Sequence, residues 1–285
     1  MSPRRDVAIL FDGSIEGFLC IVHAYYYESV APLIIQIEDC HQPTLDTEEY
    51  HIITDENLAA KVQKGILNKI SHTAWHYVIS AFLADGEDKY MAIFRYLLLG
   101  FKTGKIVDDH LQQECVLRVH KLARQVGREA HLLKGFCRFV ETTAISDGNS
   151  HSRAENHKRT NLFLATDQTD LSGNGYSGQI YYCAIDPVNY VLPILAEHFS
   201  DRMMNQAWII HDKKHGKAAV YNGETYVIAD VPKNAQVRHT ENEAEIQDLW
   251  VTFFNSLAIK ERINPKLQRN LLPLHFRKSM TEFQR

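Results

Sequence analysis

The chain contains no C-x-x-C pair: its five cysteines, Cys20, Cys40, Cys115, Cys137 and Cys183, are odd in number and scattered. That excludes a Cys-rich zinc module, a disulfide framework and the cysteine triplet of an iron–sulfur radical enzyme, and it suits a reducing compartment. No apolar run approaches the ~18 residues of a membrane span, and after Arg4, Arg5 and Asp6 only five apolar residues follow, too few for a secretory h-region. The expectation is a cytoplasmic protein with no membrane contact. G-x-S-x-G is missing as well, which removes the nucleophile elbow of the α/β-hydrolases. Gly173 to Gly178 (GNGYSG) fits G-x-G-x-x-G, but a polar loop precedes it and a strand follows, whereas dinucleotide binding needs a strand before and a helix after. No internal repeat is visible, and no cofactor or metal is expected.

What is present is an ordinary globular composition with an uneven distribution of charge. At 285 residues, 45% hydrophobic and 23% charged, the chain can bury a core without staples, as one large α+β domain over 1–285. Its net charge is −4, yet the last 26 residues hold seven Lys or Arg against two Glu. Clustered cations on an acidic body suit a polyanion, because counterion release rewards them when they face phosphates. A solvated tail shows the same pattern.

Periodicity predicts a helical N-terminal half packed with an antiparallel sheet of four to five strands and a C-terminal helix. Val7 to Phe11 reads as a strand, Ser14 caps a helix, and a Pro-containing loop leads to helices starting near Thr54, Ser71 and Gly86. Residues 109–133 form the clearest amphipathic helix. At ~100° per residue Arg118, Lys121, Arg124 and Arg128 share an arc of about 120°, opposite Cys115, Val119, Leu122, Val126, Ala130 and Leu133. Strands follow at 135–141, 180–185, 207–212, 217–221 and 224–229, with Asn222-Gly223 signalling a type I′ hairpin, and a helix runs from Glu241 to about Ile263 with an apolar stripe through Ile246, Leu249 and Trp250. The polar stretch 142–179 reads as an inserted segment or lid, and 260–285 as a basic C-terminal segment.

Three constellations can carry chemistry. Asp12, Ser14 and Glu16 lie where a strand hands over to a helix, offering a carboxylate and helix-end amides, or simple turn and cap chemistry. Glu129, His131, Lys134 and Arg138 straddle a helix end, as an acid/base and phosphate site or as an ion-pair network. His198, Arg202 and Asp212 come from a helix and the strand after it. His72 and His76 have the i, i+4 spacing of metal ligands, but Thr73 stands where a zincin has Glu, and surface histidines fit equally.

Phe11 to Phe18 (FDGSIEGF), Glu129 to Phe139 (EAHLLKGFCRF), Asp186 to Pro193 (DPVNYVLP), Glu197 to Arg202 (EHFSDR) and Ile259 to Arg269 (IKERINPKLQR) together resemble a bacterial family of unknown function whose members carry a DNA-metabolism label. The likeness spans about residues 7–141 and 180–280. It implies company with a radical-SAM protein of DNA modification or repair. Some members are fused to a uracil-DNA-glycosylase-like domain; none is expected after Arg285, so base-excision chemistry is not carried over. The segment 142–179 departs from the family's compact pattern.

The leading expectation is a DNA-binding protein acting beside that radical-SAM partner. Arg118, Lys121, Arg124, Arg128, Lys134, Arg138, Arg202, Arg262, Lys266, Arg269, Arg277 and Lys278 would contact nucleic acid, with Trp208 or Phe276 stacking on a base. One alternative is a nucleotide- or nucleic-acid-processing enzyme with Glu129, His131 and Asp12 as catalytic groups and Lys134, Arg138 and Arg202 as phosphate clamps. The other is a protein-interaction adaptor that makes no direct DNA contact.

Overall fold

A computed structural model describes residues 5–40, 48–146, 180–232, 236–239, 243–257 and 272–283. Backbone proximity divides the chain into two compact units, Met1–Arg128 and Glu129–Arg285.

The first unit is built on a small parallel sheet. β1 (Arg5–Phe11) is the central strand between β2 (Val30–Ile37) and β3 (Glu49–His51), both parallel to it. Val7 to Phe11 are all buried, as the unbroken apolar run of a covered parallel strand requires. α1 (Ile15–Tyr27) is the crossover that lets β2 return parallel. The stretch read from sequence as a Pro-containing loop is therefore β2. Its Pro32 sits on an edge strand, beside the register shift between Val7 and Ala8, the setting in which a strand tolerates a residue that has no N–H.

The helices begin where their capping residues predict. Asp55 caps α2 (Glu56–Lys69) by accepting from the Asn57 and Leu58 N–H groups at 2.8 and 3.1 Å, and Ser71 caps α3 (His72–Phe82) by accepting from Ala74 N–H at 2.9 Å. α4 (Asp88–Thr103) stops at Gly104, whose φ of +70° an L side chain resists. Phe11, Phe18, Phe82 and Tyr90 meet edge-on or tilted at the core, with Phe11 and Tyr90 centroids 5.1 Å apart. Burying each such ring stabilises by about 1.5–3 kcal/mol.

α5 (Glu114–Phe136) begins in the first unit and ends in the second. Val116, Val119, Leu122, Val126, Ala130 and Leu133 are buried along one side. The helix runs past Gly135, because an exposed glycine costs a helix end only about 1 kcal/mol, so the strand placed at 135–141 starts at Val140 instead.

The second unit carries a six-stranded sheet in the order β8-β7-β6-β5-β4-β9. Its strands are β4 (Val140–Ser146), β5 (Ile180–Ile185), β6 (Ala207–Asp212), β7 (Lys217–Tyr221), β8 (Tyr226–Asp230) and β9 (Gln236–His239). The expected α+β class holds, and most of the sheet is antiparallel. β5 and β6 are parallel because α6 (Leu192–Arg202) carries the chain back across the sheet between them. β4 takes up the start of the segment expected as an insertion, whose remainder, 147–179, lies outside the described residues.

The β7–β8 hairpin forms, but not through a type I′ turn. Only Gly223 has positive φ, and Asn222 closes a four-residue loop by accepting from the Glu224 and Thr225 N–H groups at 3.0 and 2.9 Å. α7 (Glu243–Leu257) follows, with α8 (Leu274–Arg277) further on. Ile246, Leu249 and Trp250, expected as a buried stripe, are 50%, 69% and 39% exposed.

Candidate functional site

α5 turns a cationic face away from its buried stripe. Lys121, Arg124 and Arg128 are exposed and make no ion pair or hydrogen bond among the described residues. Arg118 does not share that condition: its Nε donates to Asp88 Oδ2 at 2.9 Å, and Nη2 reaches the same oxygen. The acid comes from the first turn of α4, so the interleaved carboxylate missing from α5 itself is supplied by a neighbour 30 positions earlier. The ridge in the first unit is therefore three open cations and one neutralised one.

Asp12 stands at the carboxyl end of β1, where open parallel sheets place ligands. Its Oδ1 accepts from Ser14 N–H at 2.9 Å and Ser14 Oγ at 2.6 Å, and its Oδ2 accepts from Thr54 Oγ1 at 2.9 Å. Burial opposes the charged form, but these bonds outweigh it and hold the carboxyl below the usual carboxylate range. Ser14 in turn caps α1 by accepting from Gly17 N–H at 2.9 Å. A Cβ on Gly17 would overlap Asp12 Oδ1 and stand 2.8 Å from Thr54 Oγ1, so any larger residue there would have to displace these side chains from their bonds. The constellation is thus a knotted turn that keeps Asp12 ionised, with exposed Glu16 beside it. At the same edge His51 Nδ1 lies 2.9 Å from Glu38 Oε1.

In the second unit Glu129 is buried, and both its oxygens are engaged. Oε1 accepts from Val188 N–H at 2.7 Å; Oε2 accepts from Asn189 N–H at 2.8 Å and Asn189 Nδ2 at 2.6 Å. The carboxylate fastens the loop after β5, which is a positioning task. His131, two residues on, is exposed and has no hydrogen bond among the described residues, so the two do not form a proton-transfer pair there.

Arg138 is likewise committed. It donates to Glu282 Oε1 at 2.8 Å and to Gly135 O at 3.0 Å, with its guanidinium 5.5 Å from the Trp250 ring centroid. Lys134 and Arg202 remain as a positive pair that His198 feels. Burial, then the charges of Lys134 and Arg202, hold its imidazole below the usual range against the opposing pull of Asp201. Of the expected grouping of His198, Arg202 and Asp212, the first two come together with Lys134, whereas Asp212 is engaged by His215.

Arg277 lies over the Phe283 ring at 4.7 Å, with Nε and Nη2 buried and unpaired among the described residues, and Lys278 is exposed. Arg262, Lys266 and Arg269 lie outside the described residues. Trp208 and Phe276 are only 0% and 5% exposed, so neither can stack on an incoming base; Trp208 instead stacks on Tyr221 with centroids 5.1 Å apart. His72 and His76 are exposed on α3, and among the described residues no three His, Cys, Asp or Glu gather as metal ligands.

One arrangement was not anticipated. Asp212, fully buried at the end of β6, accepts from His215 N–H at 3.1 Å and lies 2.6 Å from His215 Nδ1. A carboxylate on Nδ1 fixes that nitrogen as the donor and leaves Nε2 as the proton acceptor, the arrangement of a general base. The Tyr190 ring is 5.3 Å away, its hydroxyl pushed up to about 12 by burial and then by the charges of Asp212 and Asp230. Lys214 Nζ donates to Val188 O at 2.6 Å, joining this turn to the loop that Glu129 holds. Both loops leave the carboxyl ends of the parallel pair β5 and β6. The signal in the sequence was Asp and His three apart just before a glycine, which reads as a turn unless the parallel pairing is known.

Comparison with protein families matches residues 87–166 and 153–282 to a domain of unknown function, DUF4130. No curated protein and no solved structure matches the chain. No described helix is long and apolar enough to cross a membrane.

Proposed function

Because the chain belongs to the DUF4130 family, a family defined without an assigned activity, we propose from its own chemistry that it is a cytoplasmic DNA-binding protein. It acts in DNA modification or repair beside a radical-SAM partner, the setting its sequence resemblance implies. The observation that carries the reading is the row Lys121, Arg124 and Arg128, three exposed cations on one face of α5 that no described carboxylate neutralises. Unpaired cations in a row keep their counterions until a phosphate chain displaces them, and that release drives binding. Lys134 and Arg202 in the second unit add a further positive pair. Arg118 and Arg138, each held by an acid, contribute less. These contacts would position a strand without reading its sequence.

The experiment is a salt titration of binding to labelled duplex and single-stranded DNA. Affinity should fall steeply between about 50 and 200 mM salt. Affinity that does not change over that range sinks the reading. Association with the radical-SAM protein that survives nuclease treatment, with no DNA affinity, would favour an adaptor instead.

A second reading, an acid/base enzyme acting on the bound strand, is favoured by the Asp212–His215 pair. His215→Gln should then abolish turnover and leave DNA affinity intact.

A further inference from the structure

We propose that the first unit holds a separate nucleotide site, in the groove between α1, α2 and α4, with phosphates on three lysines and a base on the tyrosines of α1. The groove encloses about 780 Å³. That falls within the ~300–1,000 Å³ of small-ligand pockets. Lys61 and Lys69 from α2 and Lys102 from α4 line it, and among the described residues no carboxylate does. None of the three lysines makes an ion pair among the described residues. Three ammonium groups around one cavity repel each other, so an anion entering between them relieves a standing electrostatic cost.

The spacing says which kind of anion. Lys61, Gly65 and Lys69 recur every four residues on one side of α2, and eight residues of helix rise about 12 Å. That exceeds the span of one phosphate and suits a chain of phosphoryl groups. Gly65 lies between the lysines and opposite Phe101, whose ring a Cβ would meet at 3.6 Å, so the glycine keeps the floor of the groove low without being conformationally required.

The opposite wall supplies rings. α1 ends in three consecutive tyrosines: Tyr25 packs inward on Phe94, with centroids 5.3 Å apart, while Tyr26 and Tyr27 line the groove. Tyr27 is 77% exposed and lies parallel to His23 at 4.5 Å, a ready platform whose outer face is wet. Large aromatic surface left in water beside unpaired lysines is the composition that single-strand and nucleotide sites use, because every base has a face to stack. The shared chemistry is a phosphorylated nucleoside, either free or as a unit of a single strand. None of the residues named for this groove belongs to α5, so the inference does not rest on the cationic ridge.

The test titrates the full chain with ATP, with tripolyphosphate and with a labelled deoxythymidine strand of about ten nucleotides, near 50 mM salt. Saturable binding of ATP or of the strand is expected, with tripolyphosphate weaker than ATP by about tenfold for want of a base. The Lys61→Gln/Lys69→Gln/Lys102→Gln variant should weaken the base-bearing ligands by about tenfold or more. Tyr27→Ala should weaken them by about fivefold and leave tripolyphosphate unchanged. Circular dichroism checks that each variant is folded. In the Lys121→Gln/Arg124→Gln/Arg128→Gln chain, where the ridge no longer holds a strand, a strand preferred over ATP assigns the groove to single-stranded DNA, and the converse assigns it to a free nucleotide; both support the site. Absence of saturable binding by either, or a folded lysine variant that binds as the unaltered chain does, overturns it. Lys121→Gln/Arg124→Gln/Arg128→Gln should leave ATP affinity unchanged, which separates failure of the groove from failure of the ridge.

Discussion

Glu129 grips Asn189 twice with one oxygen, taking its backbone N–H at 2.8 Å and its side-chain amide at 2.6 Å. Replacing Glu129 by Ala would remove the acceptor shared by the two buried Asn189 donors and the part-buried Val188 N–H. The expected loss is on the order of 3 kcal/mol, read as a lower urea midpoint. If Glu129→Ala is as stable as the unaltered chain, the carboxylate has no structural task, and the acid/base role expected from sequence regains its standing.

Glu282 and Arg138 form the other committed pair, with side chains 2% and 24% exposed. Burial works against the Glu282 anion, but hydrogen bonds from Arg138 and Trp250 more than offset it and hold its carboxyl below the ordinary glutamate range. A carboxyl depressed in the folded state adds stability above its unfolded value of ~4.3, and that contribution is lost as pH falls through the folded value. Glu282→Gln should cost about 2 kcal/mol at neutral pH and flatten the acid limb of the stability curve below about pH 4.5. An unchanged acid limb would contradict the pairing.

Lys89 gives the opposite sign. Its ammonium donates to Ala84 O at 2.6 Å and lies 5.0 Å from the Tyr90 ring centroid, and burial, against the pull of Asp85 and Asp88, pushes its pKa down to about 8. The unfolded lysine titrates near ~10.4, so between those values the unfolded chain holds more protons and stability rises with pH. Below about pH 8 this contribution is flat. Urea midpoints from about pH 7.5 to 10.5 should rise more for the unaltered chain than for Lys89→Met. Parallel curves would refute the buried ammonium.

For Asp212 and His215 the readout is the tautomer. Long-range proton–nitrogen spectra of histidine-labelled protein should show His215 protonated at Nδ1, and Asp212→Asn should weaken that preference. An Nε2–H form in the unaltered chain would remove the general base from the second reading.

Local chemistry made much of this legible from sequence. Asp55 and Ser71 announce their helices because a capping oxygen must meet orphan N–H groups whatever the tertiary context, and the buried side of α5 follows from its period alone. Pairings between distant residues were hidden. Asp88 neutralises Arg118 from 30 positions away, and Glu282 takes Arg138 from 144 away. No spacing rule reaches that far. β2 was obscured by Pro32, which an edge strand tolerates, and the Asp212–His215 pair looked like a turn until α6 made β5 and β6 parallel. The groove lysines escaped notice because Lys61, Lys69 and Lys102 belong to two helices that meet only in the fold.

The salt dependence of DNA affinity, compared between the unaltered chain and Lys121→Gln/Arg124→Gln/Arg128→Gln, tests the central claim most directly. Each phosphate contact adds about 0.9 to the slope of log affinity against log salt, so the variant's slope should be shallower by roughly 2 to 3. Two slopes that coincide, or an unaltered chain with no slope at all, would contradict a phosphate-binding face on α5.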